Sequence, residues 1–181
     1  MLIFGKTFSK SGYIFSQLKV LNNPFLARNM NTVASLDQLA NTASKLKGFS
    51  ATQEKESRIL FCEIIQASCI LLQLPQIVAA TAQVIIQRLL LVVSIGSMPT
   101  LHLVGAVIYL ATKLEETPTK LRSIVSVIEY TLGHRNSMCW LKIDFTSTEY
   151  YEKRLGILDA ETKILGKLGF EVHVEHPHSF M

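Results

Sequence analysis

The sequence is poor in residues that advertise chemistry. Its three cysteines, Cys62, Cys69 and Cys139, share no CxxC spacing, so neither a zinc ribbon nor a disulfide framework is expected. Cys62 and Cys69 stand seven apart, two helical turns, inside an apolar stretch and read as reduced core thiols. There is no phosphate-binding glycine loop, HExxH pair or Ser/His/Asp set, so no catalytic residue, cofactor or enzyme activity is expected. Nine glycines and five prolines in 181 residues are too few for a Gly-rich all-β chain. A charged fraction of 18% beside 49% hydrophobic residues excludes a wholly disordered chain. No apolar run approaches the ~20 residues of a membrane-spanning helix. The longest clean runs, Leu89–Val93 (loosely to Ile95) and Leu103–Ala111, are set among Gln83, Gln87, Arg88, Pro99 and His102. These read as core helices, and no membrane partner is expected.

Acidic residues are missing from one region altogether. Residues 1–36 hold none, and residues 1–47 carry six basic groups against Asp37 alone, a net +5. The remaining 12 basic and 13 acidic residues leave 48–181 at −1. The basic character therefore lies in the arm and not in the probable folded part, which speaks against direct nucleic-acid binding. The arm, 1–34, shows no sustained period and is expected to be loosely structured. Its Lys, Ser, Asn and Phe content resembles a mitochondrial presequence, the alternative being a disordered leader or one left by a misjoined gene model.

What is present is helical periodicity. Ser35 with Gln38 three residues on fits a capping box opening a short helix to about Lys45, stopped by Gly48. Ser50 and Thr52 precede a helix over about Thr52–Leu72, with Ile59, Cys62, Ile65, Cys69 and Leu72 on one face and Glu54, Lys55, Glu56 and Arg58 in its polar first turns. Pro75 opens a helix over Gln76–Val92. Pro99 opens another, Thr100 to about Glu115, apolar on nearly all sides and so expected to be enclosed by its neighbours. Thr117 and Pro118 are expected to start a fourth long helix ending near Gly133. Residues 134–145 read as an irregular loop. Thr146 or Ser147 caps a fifth helix running to Leu168, with Gly169 as its stop. No strand alternation or internal repeat is found. The expected fold is all-α, a five-helix bundle around a buried central helix with a short extra N-terminal helix.

Three stretches carry a family resemblance. Arg58-Ile-Leu-Phe-Cys-Glu-Ile-Ile-Gln-Ala-Ser-Cys-Ile-Leu-Leu-Gln-Leu-Pro-Gln76, with Ala80-Thr-Ala-Gln-Val84, resembles the first two helices of L-type cyclins. Leu110-Ala-Thr-Lys-Leu-Glu-Glu116 is similar to the L-A-S-K-x-E-E signature of cyclins generally. Leu168-Gly-Phe170 followed by His173-Val-Glu-His-Pro-His178 resembles the G-F-x-x-H-V-x-H-P-H string of the L subfamily. The resemblance covers about Glu54 to Met181. It implies a cyclin box over 35–172 and the start of an inter-box linker at 173–181, with the second box absent. It also implies a regulatory subunit for a cyclin-dependent protein kinase linked to transcription and pre-mRNA splicing, in the nucleus. In such proteins the matches to Lys113 and Glu161 form the defining pair, which meets the kinase's regulatory helix and hydrogen-bonds its backbone ends, with apolar groups matching Leu110, Leu114, Leu165 and Phe170 around them.

Some features depart from the pattern. Leu89–Ile95 replaces aromatic and polar residues, which sets up exposed apolar surface and an aggregation risk. Ala82 stands where a Gly is usual, residues 133–146 match nothing alignable, and the arginine- and serine-rich tail is missing. Two rival functions follow: a single-box remnant that holds no kinase, and a cyclin-fold adaptor of the transcription machinery. His173, His176 and His178 lack a zinc spacing and read as part of a linker that packs back on the box. Adjacent Glu115 and Glu116 point in different directions on a helix and read as structural, not as an acid/base pair.

Overall fold

A computed structural model describes residues 34, 39–135, 144–174 and 176. The chain divides into two compact units, Met1–Ser35 and Leu36–Met181, and every described helix lies in the second. The helices are α1 (Ala43–Leu46), α2 (Ala51–Leu71), α3 (Gln76–Val92), α4 (Thr100–Leu114), α5 (Leu121–Arg135) and α6 (Thr148–Lys167), with no strand among the described residues. This is the expected all-α bundle.

The central helix is α4. Leu103 to Ile108 and Leu110 to Thr112 are all buried, and α2, α3, α5 and α6 pack around it. Two glycines let α4 and α6 approach closely. A Cβ on Gly105 of α4 would stand 2.7 Å from Ile157 Cδ1, and one on Gly156 of α6 would stand 2.4 Å from the His102 ring. Both distances are inside van der Waals contact, so only hydrogen fits. Burial lowers the pKa of His102, with Asp159 opposing it.

Local chemistry starts and stops the helices. Ser50 and Gln53 form a full capping box on α2, and Ser147 accepts from the Tyr150 N–H on α6. Pro75 and Pro99 sit at the N-caps of α3 and α4, with extended ψ and no N–H to lose. Four helices end in a Schellman turn, in which the N–H of a left-handed residue and that of the residue after it both return to the last carbonyls. The left-handed residue is Gly48 after α1 and Gly169 after α6, but Gln73 after α2 and Glu116 after α4.

Several expectations change. The Ser35–Gln38 capping box lies outside the described residues; Leu39 and Ala40 are helical, the helix breaks at residues 41–42, and a separate turn, Ala43–Leu46, follows with Thr42 as its cap. On α2 the buried stripe is Phe61, Ile64, Ile65, Ser68 and Cys69, while Ile59 is 49% exposed. Ile59 to Cys62 are four consecutive apolar residues, so several stripes fit the same period and packing selects one. Thr117 does not cap the next helix: its hydroxyl and its N–H both donate back to Thr112 O, at 3.5 and 2.9 Å, closing the turn after α4. Residues 117–120 are therefore non-helical and α5 begins at Leu121. Leu89–Ile95 does not form an exposed apolar surface either. Leu89, Leu90 and Val93 are buried, Ile95 packs on the core, and Val92 is the exposed one. Most of the 134–145 loop lies outside the described residues, and α5 runs on to Arg135. No described helix is long and apolar enough to cross a membrane.

Candidate functional site

Close packing of α4 on α6 brings Lys113 and Glu161 together. The Lys113 Nζ donates to both carboxylate oxygens of Glu161, at 2.7 and 3.0 Å. Lys113 lies in the last turn of α4, where a cation complements the helix dipole. Its stem crosses buried surface and its ammonium sits 4.0 Å from the centroid of the Tyr109 ring, one turn back. Glu161 is nearly buried, with 10% of its side chain exposed, whereas Lys113 is 47% exposed. The carboxylate thus orients the lysine, and nearly half of the lysine side chain stays open to solvent.

The four apolar residues divide. Leu110 is buried at 4% and supports the site from below. Leu165, one turn beyond Glu161, is half-buried and leans on the core. Leu114, next to Lys113, is 38% exposed, and Phe170 is 73% exposed. Phe170 has φ +62°, a left-handed conformation unusual for a bulky residue, and its N–H bonds Leu165 O at 2.9 Å in the turn that ends α6. Tyr109 is the site residue that sequence reasoning passed over. Its i,i+4 spacing from Lys113 was the available signal.

A second polar cluster joins α1, α2 and α3. Thr42 Oγ1 donates to Glu54 Oε2 at 2.8 Å, and Arg58 Nη2 donates to Glu54 Oε1 at 2.9 Å. Arg58 also donates to the Gln87 side chain at 2.8 Å and to the carbonyls of Gln87 and Leu90, both at 3.2 Å. Leu90 O is among the last four carbonyls of α3, which lack helical partners. Glu54 is buried rather than part of a solvated first turn. Burial alone raises its pKa, but hydrogen bonds from Arg58 and Thr42 and the charges of Arg58 and Lys45 outweigh it, holding the carboxyl below its usual range.

The C-terminal segment packs back on this unit. Val172 and Val174 lie against the core, and Arg88 Nη1 donates to His173 O at 3.0 Å. His176 reaches Thr81, while His178 lies outside the described residues. No group of three or more potential metal ligands occurs among the described residues. Burial pushes the Cys69 thiol up to about 11, which suits a core residue and not a nucleophile.

The family described as "Cyclin, N-terminal domain" matches residues 29–173. The zebrafish (Danio rerio) protein Cyclin-L1 is 37% identical over 164 residues, covering 90% of this chain and 32% of that protein. Cyclin-L1-1 of Arabidopsis thaliana is 34% identical over 151 residues, 83% of this chain and 36% of that protein. Human (Homo sapiens) Cyclin-L2 is 34% identical over 145 residues, 80% of this chain and 28% of that protein. The chain spans about a third of the length of these relatives. With most of its length matched and the all-helical bundle in place, the chain belongs to the cyclin family, on its L-type branch.

Proposed function

We propose that this chain is a regulatory subunit that binds a cyclin-dependent protein kinase through the face around Lys113 and Glu161. The observation that supports this most is the preformed ion pair. A nearly buried carboxylate holds a half-exposed lysine in one orientation, with exposed Leu114 and Phe170 close by in sequence on the same two helix ends. A rigid charged donor beside apolar side chains suits the backbone end of a partner helix. The pair is in place before binding, so little ordering remains when the partner arrives. The implied mechanism is differential binding. Holding the kinase's mobile helix in its active position lets the kinase's own Lys–Glu pair form, and this chain contributes no reacting group. Activation of that kinase, a link to transcription and splicing, a nuclear location, and a cyclin box at 35–172 followed by linker at 173–181 all belong to the same proposal.

The test is a pull-down from nuclear extract with the 181-residue chain and with its Lys113→Ala/Glu161→Ala double variant. Capture of a cyclin-dependent kinase by the wild type alone is expected. A soluble, helical wild type that captures no kinase would overturn the proposal. Equal capture by both proteins would remove Lys113 and Glu161 from the interface. Leu165→Glu is a poor probe because Leu165 leans on the core. Phe170→Ala is better, since that ring is largely exposed.

A further inference from the structure

Glu115 caps the C-terminus of α4 two residues after Lys113, and the turn it begins carries two unfavourable local features. A carboxylate there opposes the helix dipole. The next residue, Glu116, is left-handed at φ +52° with no glycine to ease it. A turn with both features needs support from outside its own helix. That support is Thr81, on α3 and 1% exposed, whose Oγ1 donates to Glu115 Oε1 at 2.6 Å.

The same hydroxyl meets His176 Nε2 at 2.7 Å. Thr81 has one proton and gives it to Glu115, so His176 must be the donor, and its Nε2 carries hydrogen. The order is then His176 Nε2–H to Thr81 Oγ1, and Thr81 O–H to Glu115. His176 Nε2 also lies 3.7 Å from Glu115 Oε1. Upstream of it, Val172 and Val174 pack on the core while Arg88 holds His173 O. Residues 172, 174 and 176 therefore turn inward at alternate positions, as an extended segment does.

We propose that Thr81, Glu115 and His176 form a latch. It fastens the strap of residues 171–174 and 176 to the last turn of α4 and so sets the position of Lys113 in the ion pair. The contacts close a circuit from α6 through its terminal turn and the strap to Glu115 and Lys113, and back to Glu161 on α6. Thr81, Glu115 and His176 are positioning residues, and the consequence for binding rests on the kinase-facing role proposed for Lys113 and Glu161.

The experiment is amide hydrogen exchange on the 181-residue chain as wild type, Thr81→Val and Thr81→Ser. Valine keeps the shape and removes the hydroxyl, whereas serine keeps the hydroxyl. The amides of α2 report whether each variant is folded. In Thr81→Val, exchange at both 112–117 and 171–176 is expected to quicken on the order of tenfold, with Thr81→Ser close to wild type. Equal quickening in both variants would reduce the effect to packing and overturn the latch. A strap that loosens while 112–117 stays protected would overturn the coupling. A second reading uses whichever kinase the wild type captures: its residence time should fall on the order of tenfold with Thr81→Val and recover with Thr81→Ser. Unchanged residence beside faster exchange would sever the latch from binding. Failure to capture any kinase would count against the kinase proposal, while the exchange result would still decide the latch.

Discussion

The molecule contains two carboxylate–cation pairs that look alike in chemistry and differ in use. Glu54–Arg58 and Glu161–Lys113 each set a nearly buried carboxylate against a basic side chain, with 6% and 10% of the two carboxylate side chains exposed. The cations differ, at 18% for Arg58 and 47% for Lys113. Arg58 spends its planar fork inside the protein, on Glu54, Gln87 and the end of α3. Lys113 bonds one carboxylate, rests on one ring, and keeps a side open. A pair whose donors are all used within the fold stabilises the fold, and one left half open has capacity for a partner.

That contrast can be tested by removing one member at a time. The largest effect should come from Arg58→Ala. It leaves Glu54 and the end of α3 unpaired inside the protein, and urea unfolding should show a loss of about 3–5 kcal/mol. Lys113→Ala and Glu161→Ala should each weaken kinase binding by roughly 2–5 kcal/mol, read by calorimetry against the captured kinase. Lys113→Ala leaves the nearly buried Glu161 carboxylate without its partner and should lower stability by about 1–3 kcal/mol, less than Arg58→Ala because the lysine side chain is 47% exposed. If Arg58→Ala weakened binding of the folded fraction as much as Lys113→Ala does, the distinction would collapse.

Gly105→Ala acts on one pair and spares the other. Its methyl group would push Ile157 away and part α4 from α6, at a cost of about 1–3 kcal/mol. Exchange at Lys113 should quicken while the α2–α3 end stays protected. Acid should act in two steps. His102 has its pKa lowered in the fold, so its unfolded form binds protons first and stability falls as pH drops below its ordinary 6.5. Glu54 is also held low, so its contribution is complete above its ordinary 4.5 and is lost as pH falls below that. Replacing Glu54 by Gln should shrink the second step, leaving the part due to Asp144, which Thr146 also holds low, and should leave the first step intact, as followed by thermal melts across pH. The smallest effect should be Gln73→Gly. It relieves a left-handed glutamine at the end of α2 and should stabilise by about 0.5–1 kcal/mol without touching either pair.

Helix positions were legible because their signals are local. Gln76–Val92 and the start at Thr100 follow from Pro75 and Pro99, and the end of α6 follows from Gly169. Where the signal was misleading, a longer-range demand had prevailed. Thr117 resembles a cap, but its hydroxyl and N–H both turn back to Thr112 O to close the turn after α4. Ile59 fits an apolar period, but α3 and α4 take the neighbouring stripe. Of the site residues, Lys113 and Glu161 were nameable from motif positions. The resemblance also implied that the two form a pair, but Tyr109 beneath the ammonium was not legible.

Apolar periodicity, capping residues and helix stops are properties of a few neighbouring residues, and they were enough to specify an all-helical chain with an enclosed fourth helix. Tertiary packing assigned the roles of the polar residues. Glu54 and Glu161 are each one acid on an amphipathic helix, and nothing within a turn of either says which will be sealed in and which will hold a lysine outward. That depends on what lies across the gap, residues 87 and 90 for Arg58 and open solvent for Lys113. Distances between helices arise only when the whole core closes.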